Sequence, residues 1–247
     1  MIFYRGITVN KSLRRKKLLG VIGGMGPLAD TVFISRLRAL TAADRDCEHI
    51  PILYDGNCIR PDRSDYLTGR TKSSPYGSLC RSMKLLERCG CDVIAMPCNT
   101  AHGWFNNLNK AKKHSTVMLN MVKETAYACE KRGLQTVCLL ATEGTYRRDL
   151  YGGHFFRLGV DCVIPDRDLR SRIQTLIRKA KAGKAVSLTE IEDDLKKIRC
   201  DGFVLGCTEL SLALENTKKT DIIYVDSLTA LAEEAVSVFK KVKIKAE

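Results

Sequence analysis

The chain has 247 residues, of which 45% are hydrophobic and 28% are charged, a composition typical of a globular protein with a sizeable core. No apolar run approaches the ~18 residues that span a bilayer, and residues 1–17 lack the apolar stretch of a secretory signal. The 41 Lys and Arg against 28 Asp and Glu leave a net charge of +13, which favours an anionic partner. These features predict a cytoplasmic protein without membrane contact.

The cysteines number eleven and show no C-x-x-C spacing. An odd count in a chain of this size argues against a disulfide scaffold, and only four histidines are available as further metal ligands. We therefore expect no metal site. The aromatic content of 6% also argues against a stacking surface for nucleic acid.

Residues 1–17 form a basic segment without apolar periodicity, which we interpret as an N-terminal arm. From residue 18 onward, short apolar runs alternate with helical patterns. The runs lie at Leu18–Ile22, Pro51–Tyr54, Asp92–Met96, Val117–Leu119, Thr136–Leu140, Asp161–Ile164, Gly202–Leu205 and Asp221–Val225. Ser187 and Glu190 form an S-x-x-E capping box at the start of one helix. Strands that alternate with helices across short loops predict an α/β fold with mainly parallel sheets.

An internal repeat relates the two halves of this pattern. The segment Cys91–Cys98 aligns on Cys200–Cys207 without a gap, and each reads Cys-Asp, a buried strand, Pro or Gly, and a second Cys. Residues 18–26 and 137–145 are looser counterparts. We therefore predict two pseudo-symmetric three-layer α/β domains with the active site in the cleft between them. The first comprises residues 18–115 plus 226–247, and the second comprises residues 116–225.

The second cysteine of each repeat is the chemically informative one. Cys98 and Cys207 both follow a predicted parallel strand, at the sheet edge where such folds bind ligands. A helix start follows each of them, and the N–H groups there favour the thiolate and lower the thiol pKa. Two opposed thiols, one charged and one neutral, can invert a carbon centre: one removes the α-proton and the other returns a proton to the opposite face. The developing carboxylate charge needs hydrogen-bond donors, for which Asn99, Thr100, Thr208 and the glycine-rich loop are candidates.

Three motifs in this order resemble the aspartate/glutamate racemase family, on its aspartate racemase branch. They are Gly23-Gly24-Met25-Gly26-Pro27, Pro97-Cys98-Asn99-Thr100-Ala101-His102 and Gly206-Cys207-Thr208-Glu209-Leu210. The similarity extends over about residues 18–240. Glutamate racemases have an Asp-Ser-Gly type of first loop and His-Tyr-Pro after the second Cys-Thr, so Gly-Gly-Met and Glu-Leu here point to the other branch.

The resemblance implies a pyridoxal-independent racemase, without cofactor, that interconverts L- and D-aspartate, with glutamate as a second candidate substrate. It implies Cys98 and Cys207 as the catalytic pair, Arg63 as the ligand of the distal carboxylate, and a second cation at Lys181, with Lys184 as a competitor. His102 is expected to support the site from outside it. The implied substrate-binding residues are Gly24, Met25, Gly26, Arg63, Asn99, Thr100, Thr142, Thr145, Lys181, Thr208 and Glu209.

Two alternatives stay open at this point. The chain could be a related enzyme such as a hydantoin racemase or a maleate isomerase, although a hydantoin offers no carboxylate to Arg63. It could also be a basic, non-catalytic protein that binds a polyanion through the segment Lys11–Lys17. The family resemblance further suggests a homodimer, with a small acidic amino acid as the ligand.

Overall fold

The computed structural model describes residues 17–243, with side chains to residue 240. The predicted N-terminal arm at residues 1–17 lies outside the described residues, apart from Lys17. Eight parallel strands form two four-stranded sheets. Both sheets are covered by helices, so the predicted α/β architecture with two related halves is confirmed.

The first sheet contains β1 (Leu19–Ile22), β2 (Ile52–Asp55), β3 (Val93–Ala95) and β4 (Val117–Met118) in the order β2-β1-β3-β4. The second contains β5 (Thr136–Ala141), β6 (Asp161–Val163), β7 (Gly202–Gly206) and β8 (Tyr224–Asp226) in the order β6-β5-β7-β8. The two orders are equivalent, so β3 and β7 occupy the same position in their sheets. In register, Leu19 lies beside Val93 and Val137 lies beside Gly202.

Eleven α-helices connect the strands within residues 17–243. They are α1 (Pro27–Leu40), α2 (Arg63–Leu67), α3 (Tyr76–Arg88), α4 (Phe105–Ala111), α5 (Met121–Lys131), α6 (Glu143–Arg147), α7 (Gly152–Arg157), α8 (Arg167–Lys181), α9 (Glu192–Leu195), α10 (Thr208–Glu215) and α11 (Ser227–Lys243). Short 3₁₀ helices lie at Asp46–Glu48, Thr100–Trp104 and Leu188–Ile191. The predicted capping box at Ser187 and Glu190 is present, but it begins the last of these 3₁₀ helices.

The first sheet extends further along the chain than predicted. β4 pairs in parallel with β3, with Val93 beside Val117 and Ile94 beside Met118. The predicted first segment ends at residue 115 and therefore leaves out a strand of its own sheet. The physical reason is that strand membership is decided by pairing with β3, which the apolar pattern of the strand alone does not reveal.

The last helix returns to the first half. Leu228, Leu231 and Ala235 of α11 pack in one cluster with Leu19 and Phe33, all of them buried. Since apolar burial contributes about 25 cal/mol per Å², this contact stabilises the two halves against each other. One apolar residue of α1, Leu28, is 45% exposed and lines a pocket.

Candidate active site

The two cysteines that follow β3 and β7 lie on one inner cavity between the halves. Cys98 is separated from β3 by Met96 and Pro97, and the 3₁₀ helix Thr100–Trp104 begins just after it. Cys207 directly follows β7 and is the N-cap of α10. Both thiols are buried, each with 5% exposure. The cavity is lined by Met25, Asp62, Arg63, Ser64, Cys98, Asn99, Thr100, Thr142, Lys181, Cys207, Thr208 and Glu209.

The inner cavity is nearly closed. Its volume of about 10 Å³ is roughly the space of one water molecule, too small for an amino acid. An outer pocket of about 280 Å³ lies beside it and shares Met25, Asp62, Arg63, Lys181 and Glu209. A small ligand can therefore approach through the outer pocket, but the inner cavity must enlarge before the ligand reaches the thiols.

Arg63 supplies a buried cation on the first half. It is the first residue of α2, which Asp62 caps by accepting the Asp65 N–H at 2.8 Å. One guanidinium nitrogen, Nη2, donates to Met25 O at 3.0 Å. Its Nε is buried and has no partner among the described residues. A guanidinium with an unused donor beside a cavity is suited to bind a carboxylate.

Lys181, at the end of α8, supplies a second cation. Lys181 and Lys184 are both exposed, but only Lys181 lines the inner cavity and the outer pocket. Burial acts to lower the pKa of Lys181, but Glu209 and Cys207 oppose this effect and the net pKa is raised. Between the two predicted candidates, the geometry favours Lys181.

Asp62 lies between the cations and is a lining residue that the sequence did not single out. Burial acts to raise its pKa, yet the Asp65 N–H and the charge of Lys181 lower it further, so the carboxylate has a pKa below its ordinary value. The sequence feature that could have pointed to Asp62 is its position next to Arg63. Ser64, which follows Arg63, is the second such residue.

The thiol pKa values correct one expectation. Burial raises the pKa of both thiols, and that of Cys207 lies well above its ordinary value. The predicted lowering is present, from the Ala101 N–H at Cys98 and the Glu209 N–H at Cys207, but it is outweighed. Arg63 also lowers the pKa of Cys98. A thiol with a raised pKa is a stronger base once ionised, which suits removal of a weakly acidic α-proton.

Glu209 contacts Cys207 directly. The thiol donates to Glu209 Oε2 at 3.0 Å, and the Thr208 hydroxyl donates to the same oxygen at 3.4 Å. The other oxygen, Oε1, is buried without a partner among the described residues. It faces the loop at Gly26, where a Cβ would lie 2.5 Å from it. The carboxylate therefore holds Cys207 in its neutral form and leaves one acceptor unused.

Four predicted polar ligands are already hydrogen-bonded to protein groups, and three of them line the cavity. Thr100 and Thr142 line the cavity and share a hydrogen bond of 2.9 Å across the two halves. Asn99 also lines it, but its amide donates to Ser227 Oγ at 2.8 Å and accepts from Tyr151 OH. Thr145 does not line the cavity: it is fully buried behind Thr142, at 3.1 Å between hydroxyls. In place of the predicted substrate contact, Thr145 supports Thr142.

The glycine-rich loop shapes the outer pocket. Gly24 has a φ of +78°, and a Cβ there would lie 2.2 Å from Asn57 O, so only glycine fits. Its N–H donates to Asp30 Oδ2 at 2.6 Å, which removes it from the predicted set of substrate donors. Asp30 is fully buried and was not predicted. Gly24 and Gly26 line only the outer pocket, whereas Met25 reaches both.

His102 holds the backbone at Cys98 through a hydrogen bond to its carbonyl oxygen. Its Nε2 accepts the Met121 N–H at 3.0 Å, so its Nδ1 carries the proton and donates to Cys98 O at 2.9 Å. Burial lowers the pKa of His102 to about 4. The side chain is therefore neutral near pH 7 and fixes the backbone of Cys98.

Within residues 17–243 no group of three or more His, Cys, Asp or Glu side chains is placed to hold a metal ion. In the same part of the chain, no helix combines the length and apolarity needed to cross a bilayer.

The architecture of two related parallel sheets with a cleft between them is that of the two-domain α/β racemases. The family described as Asp/Glu/Hydantoin racemase matches residues 22–235, and the chain belongs to this family. The aspartate racemase of Picrophilus torridus is 31% identical, with a TM-score of 0.79 over 92% of this chain and 98% of its own. The broad specificity amino-acid racemase RacX of Bacillus subtilis is 25% identical over 90% of this chain and 98% of its own. The glutamate racemase of Francisella tularensis, 17% identical with a TM-score of 0.64 over 93% and 83%, shares the fold.

Proposed function

We propose that this racemase interconverts L- and D-aspartate by two-base proton transfer between Cys98 and Cys207, without a cofactor. One observation carries the proposal: the ends of two equivalent strands direct one thiol each to the same inner cavity, which Arg63 and Lys181 also line. The identity of 31% to an aspartate racemase supports aspartate as the substrate. Glutamate is the second substrate to test.

The charges around the two thiols assign their roles. Arg63 lowers the pKa of Cys98 against the effect of burial, whereas Cys207 donates its proton to Glu209. The pKa of Cys98 is still raised overall, but Cys98 is the thiol that ionises more readily, so we assign Cys98 as the first base and Cys207 as the first acid. The Cys98 thiolate takes the proton from Cα, the carbanion charge spreads into the α-carboxylate, and the Cys207 thiol delivers its proton to the opposite face. The two sulfurs end with exchanged protonation states, ready for the reverse direction.

The cavity also matches the three charged groups of aspartate. Arg63 and Lys181 face a region shared by the inner cavity and the outer pocket, where they bind the distal carboxylate. The unpartnered Oε1 of Glu209 accepts the substrate ammonium. The α-carboxylate, on which charge develops, accepts from the hydroxyls of Thr208 and Thr100, which exchange their present bonds to Glu209 and Thr142 for this contact.

The deciding experiment is turnover in deuterated water. Incubation with L-aspartate is expected to yield D-aspartate by chiral chromatography and deuterium at Cα by mass spectrometry. A parallel panel of L- and D-amino acids ranks aspartate against glutamate. The proposal fails if aspartate keeps both its configuration and its Cα hydrogen while the protein is folded.

Single cysteine variants test the mechanism. Cys98→Ser and Cys207→Ser are each expected to lose racemisation by about 10³-fold or more, because a serine hydroxyl is a far weaker acid than a thiol. Cys91→Ser is the matched control, since Cys91 is also buried and begins the same repeat. Loss of activity in the control alone, or retention in both site variants, contradicts the assignment.

The alternatives give other readouts. A maleate isomerase would use one cysteine as a nucleophile on the alkene and would remove the ultraviolet absorbance of maleate, and a hydantoin racemase would invert hydantoins but leave aspartate unchanged. Salt-dependent retention on a polyanion, lost on deletion of residues 1–17, would instead favour the binding protein. The homodimer and the cytoplasmic location stay predictions, to be tested by sedimentation and by fractionation of cells.

A further inference from the structure

A third pocket lies outside the inner cavity and the outer pocket. It has a volume of about 450 Å³ and is lined by Tyr66, Leu67, Ser74, Tyr76, Gly103, Trp104, Asn107, Arg148 and Leu150. We call it the aromatic pocket. It shares no lining residue with the other two. Its volume falls in the range of sites for small organic ligands, roughly 300–1,000 Å³.

The lining of the aromatic pocket combines ring surfaces with one cation. Tyr66 and Trp104 form a tilted pair with centroids 5.7 Å apart, and Tyr76 adds a third ring. Gly103 contributes a stretch of wall without a side chain. Arg148 is exposed, and it is the one charged residue among the nine described residues of the lining. Aromatic side chains favour planar rings, and an arginine favours an anion.

We propose that the aromatic pocket binds a second ligand, an aromatic ring that carries an anionic group. The ring packs against Tyr66, Tyr76 and Trp104, and the anionic group pairs with Arg148. The side chains of Ser74 and Asn107 supply further polar contacts at the rim. Nucleotides and aromatic phosphates or carboxylates share this chemistry.

The position of the aromatic pocket links it to the catalytic groups. Tyr66 and Leu67 end α2, the helix that begins with Arg63. Gly103 and Trp104 belong to the 3₁₀ helix that follows Cys98. A ligand bound here contacts the two segments that hold Arg63 and Cys98, on the side away from the inner cavity.

Trp104 is the single tryptophan of the chain, so its fluorescence reports on this pocket. Titration of the full-length protein with AMP and with phenyl phosphate is expected to change its emission saturably for at least one of them. The two probes separate a nucleotide from a simple aromatic phosphate as the source of the ring. Inorganic phosphate and benzyl alcohol, which each lack one of the two features, are expected to bind at least tenfold more weakly.

Arg148→Met is expected to raise the ligand concentration at the midpoint of the fluorescence titration by roughly tenfold or more, because it removes a charged hydrogen bond. Arg157→Met is the matched control, an exposed arginine of α7 outside the pocket. Excess aspartate is expected to leave the midpoint unchanged. No saturable change up to about 10 mM, an unchanged midpoint in Arg148→Met, or competition by aspartate overturns the proposal. A change in Trp104 emission that depends on protein concentration in the absence of ligand would also overturn the proposal, because it would mean that a second copy of the chain covers the pocket.

Discussion

Charged side chains in the cleft make the two thiols differ in their tendency to ionise, although burial raises the pKa of both. Cys98 has a guanidinium as its neighbour, whereas Cys207 has a carboxylate that accepts its proton at 3.0 Å. After burial, the charge of Glu209 is the largest cause that raises the pKa of Cys207. Two equivalent thiols in related halves are thereby made chemically different, as a proton donor and acceptor pair requires.

Glu209→Gln is predicted to make Cys207 more reactive towards iodoacetamide while lowering racemase activity. Removal of the charge lowers the pKa of Cys207, and a shift of about one unit increases the thiolate fraction roughly tenfold. Activity falls because the variant lacks the carboxylate that keeps the proton on Cys207 for delivery to the substrate. Peptide mass spectrometry must follow each site separately, since Cys47, Cys58 and Cys89 are exposed. Glu233→Gln, at an exposed position of α11, is the control; slower labelling of Cys207 in Glu209→Gln would refute the explanation.

Asp30 gives a pH dependence of stability. Burial raises its pKa from 3.8 to about 6, so the folded state disfavours the charged carboxylate. The contribution of Asp30 to the free energy of unfolding is fully present below pH 3.8 and is lost as the pH rises through 6. By linkage, this loss amounts to about 3 kcal/mol. Asp30→Asn cannot ionise and keeps an acceptor oxygen for the Gly24 N–H.

The free energy of unfolding of Asp30→Asn, relative to the native protein, is therefore predicted to be higher at pH 7.5 than at pH 4, by up to about 3 kcal/mol. Urea denaturation at both pH values measures it. Asp44→Asn, which removes an exposed charge, controls for net charge. A relative stability that is equal at the two pH values would show that Asp30 ionises freely in the folded state.

Among the secondary-structure elements, the 3₁₀ helix after Cys98 and the N-terminus of α5 are joined by His102. The imidazole accepts from Met121 and donates to Cys98 O, and Phe105 stacks on it with centroids 5.6 Å apart. Burial lowers its pKa from 6.5 to about 4. The contribution of neutral His102 to the free energy of unfolding is complete above pH 6.5 and is lost as the pH falls through 4. This pH dependence has the opposite direction to that of Asp30.

His102→Phe is predicted to lower the free energy of unfolding by about 2–4 kcal/mol at pH 7, because it leaves two buried backbone groups unpaired. The loss is predicted to shrink towards pH 4, where the native histidine itself is partly protonated. Urea denaturation across this range is the measurement, with His114→Phe, an exposed histidine, as the control. A loss that stays constant with pH would contradict the buried, neutral state of His102.

The sequence predicted the strands better than the contacts between them. Each of the eight apolar runs overlaps a strand. The central strands β1, β3 and β7 are buried along their whole length, and this burial gives a continuous apolar signal. The helix predicted to start at the Ser187 capping box is instead a 3₁₀ helix followed by the short α9. The placement of both cysteines followed from the repeat. The engagement of Asn99 and the burial of Thr145 depend on partners distant in the chain, and no local pattern reveals them.

In the whole molecule, the contact between the halves controls the size of the inner cavity. Gly144 at the start of α6 packs against the first half, where a Cβ would lie 2.9 Å from Ser64 Cα and 3.1 Å from Thr100 Cγ2. The first of these atoms is backbone and cannot rotate away. The hydroxyls of Thr100 and Thr142 meet in the same place, at 2.9 Å. The closed state thus depends on the absence of a side chain at residue 144.

Gly144→Ala is predicted to push the two halves apart, because the added methyl group would clash with the backbone of Ser64. Helix propensity alone favours alanine by up to about 1 kcal/mol, but overpacking of this contact costs typically 1–3 kcal/mol, so the net effect is a loss. Gly153→Ala in α7 is the matched control, because its Cβ would meet only Arg157 Nη2 at 4.0 Å. In Gly144→Ala, the free energy of unfolding measured by urea denaturation is predicted to fall. The kcat for aspartate is predicted to fall with it, since misplacement of the thiols impairs proton transfer. Both quantities are predicted to be unchanged in Gly153→Ala. Equal behaviour of the two variants would mean that the halves tolerate a wider cleft, and that closure is not needed to align Cys98 with Cys207.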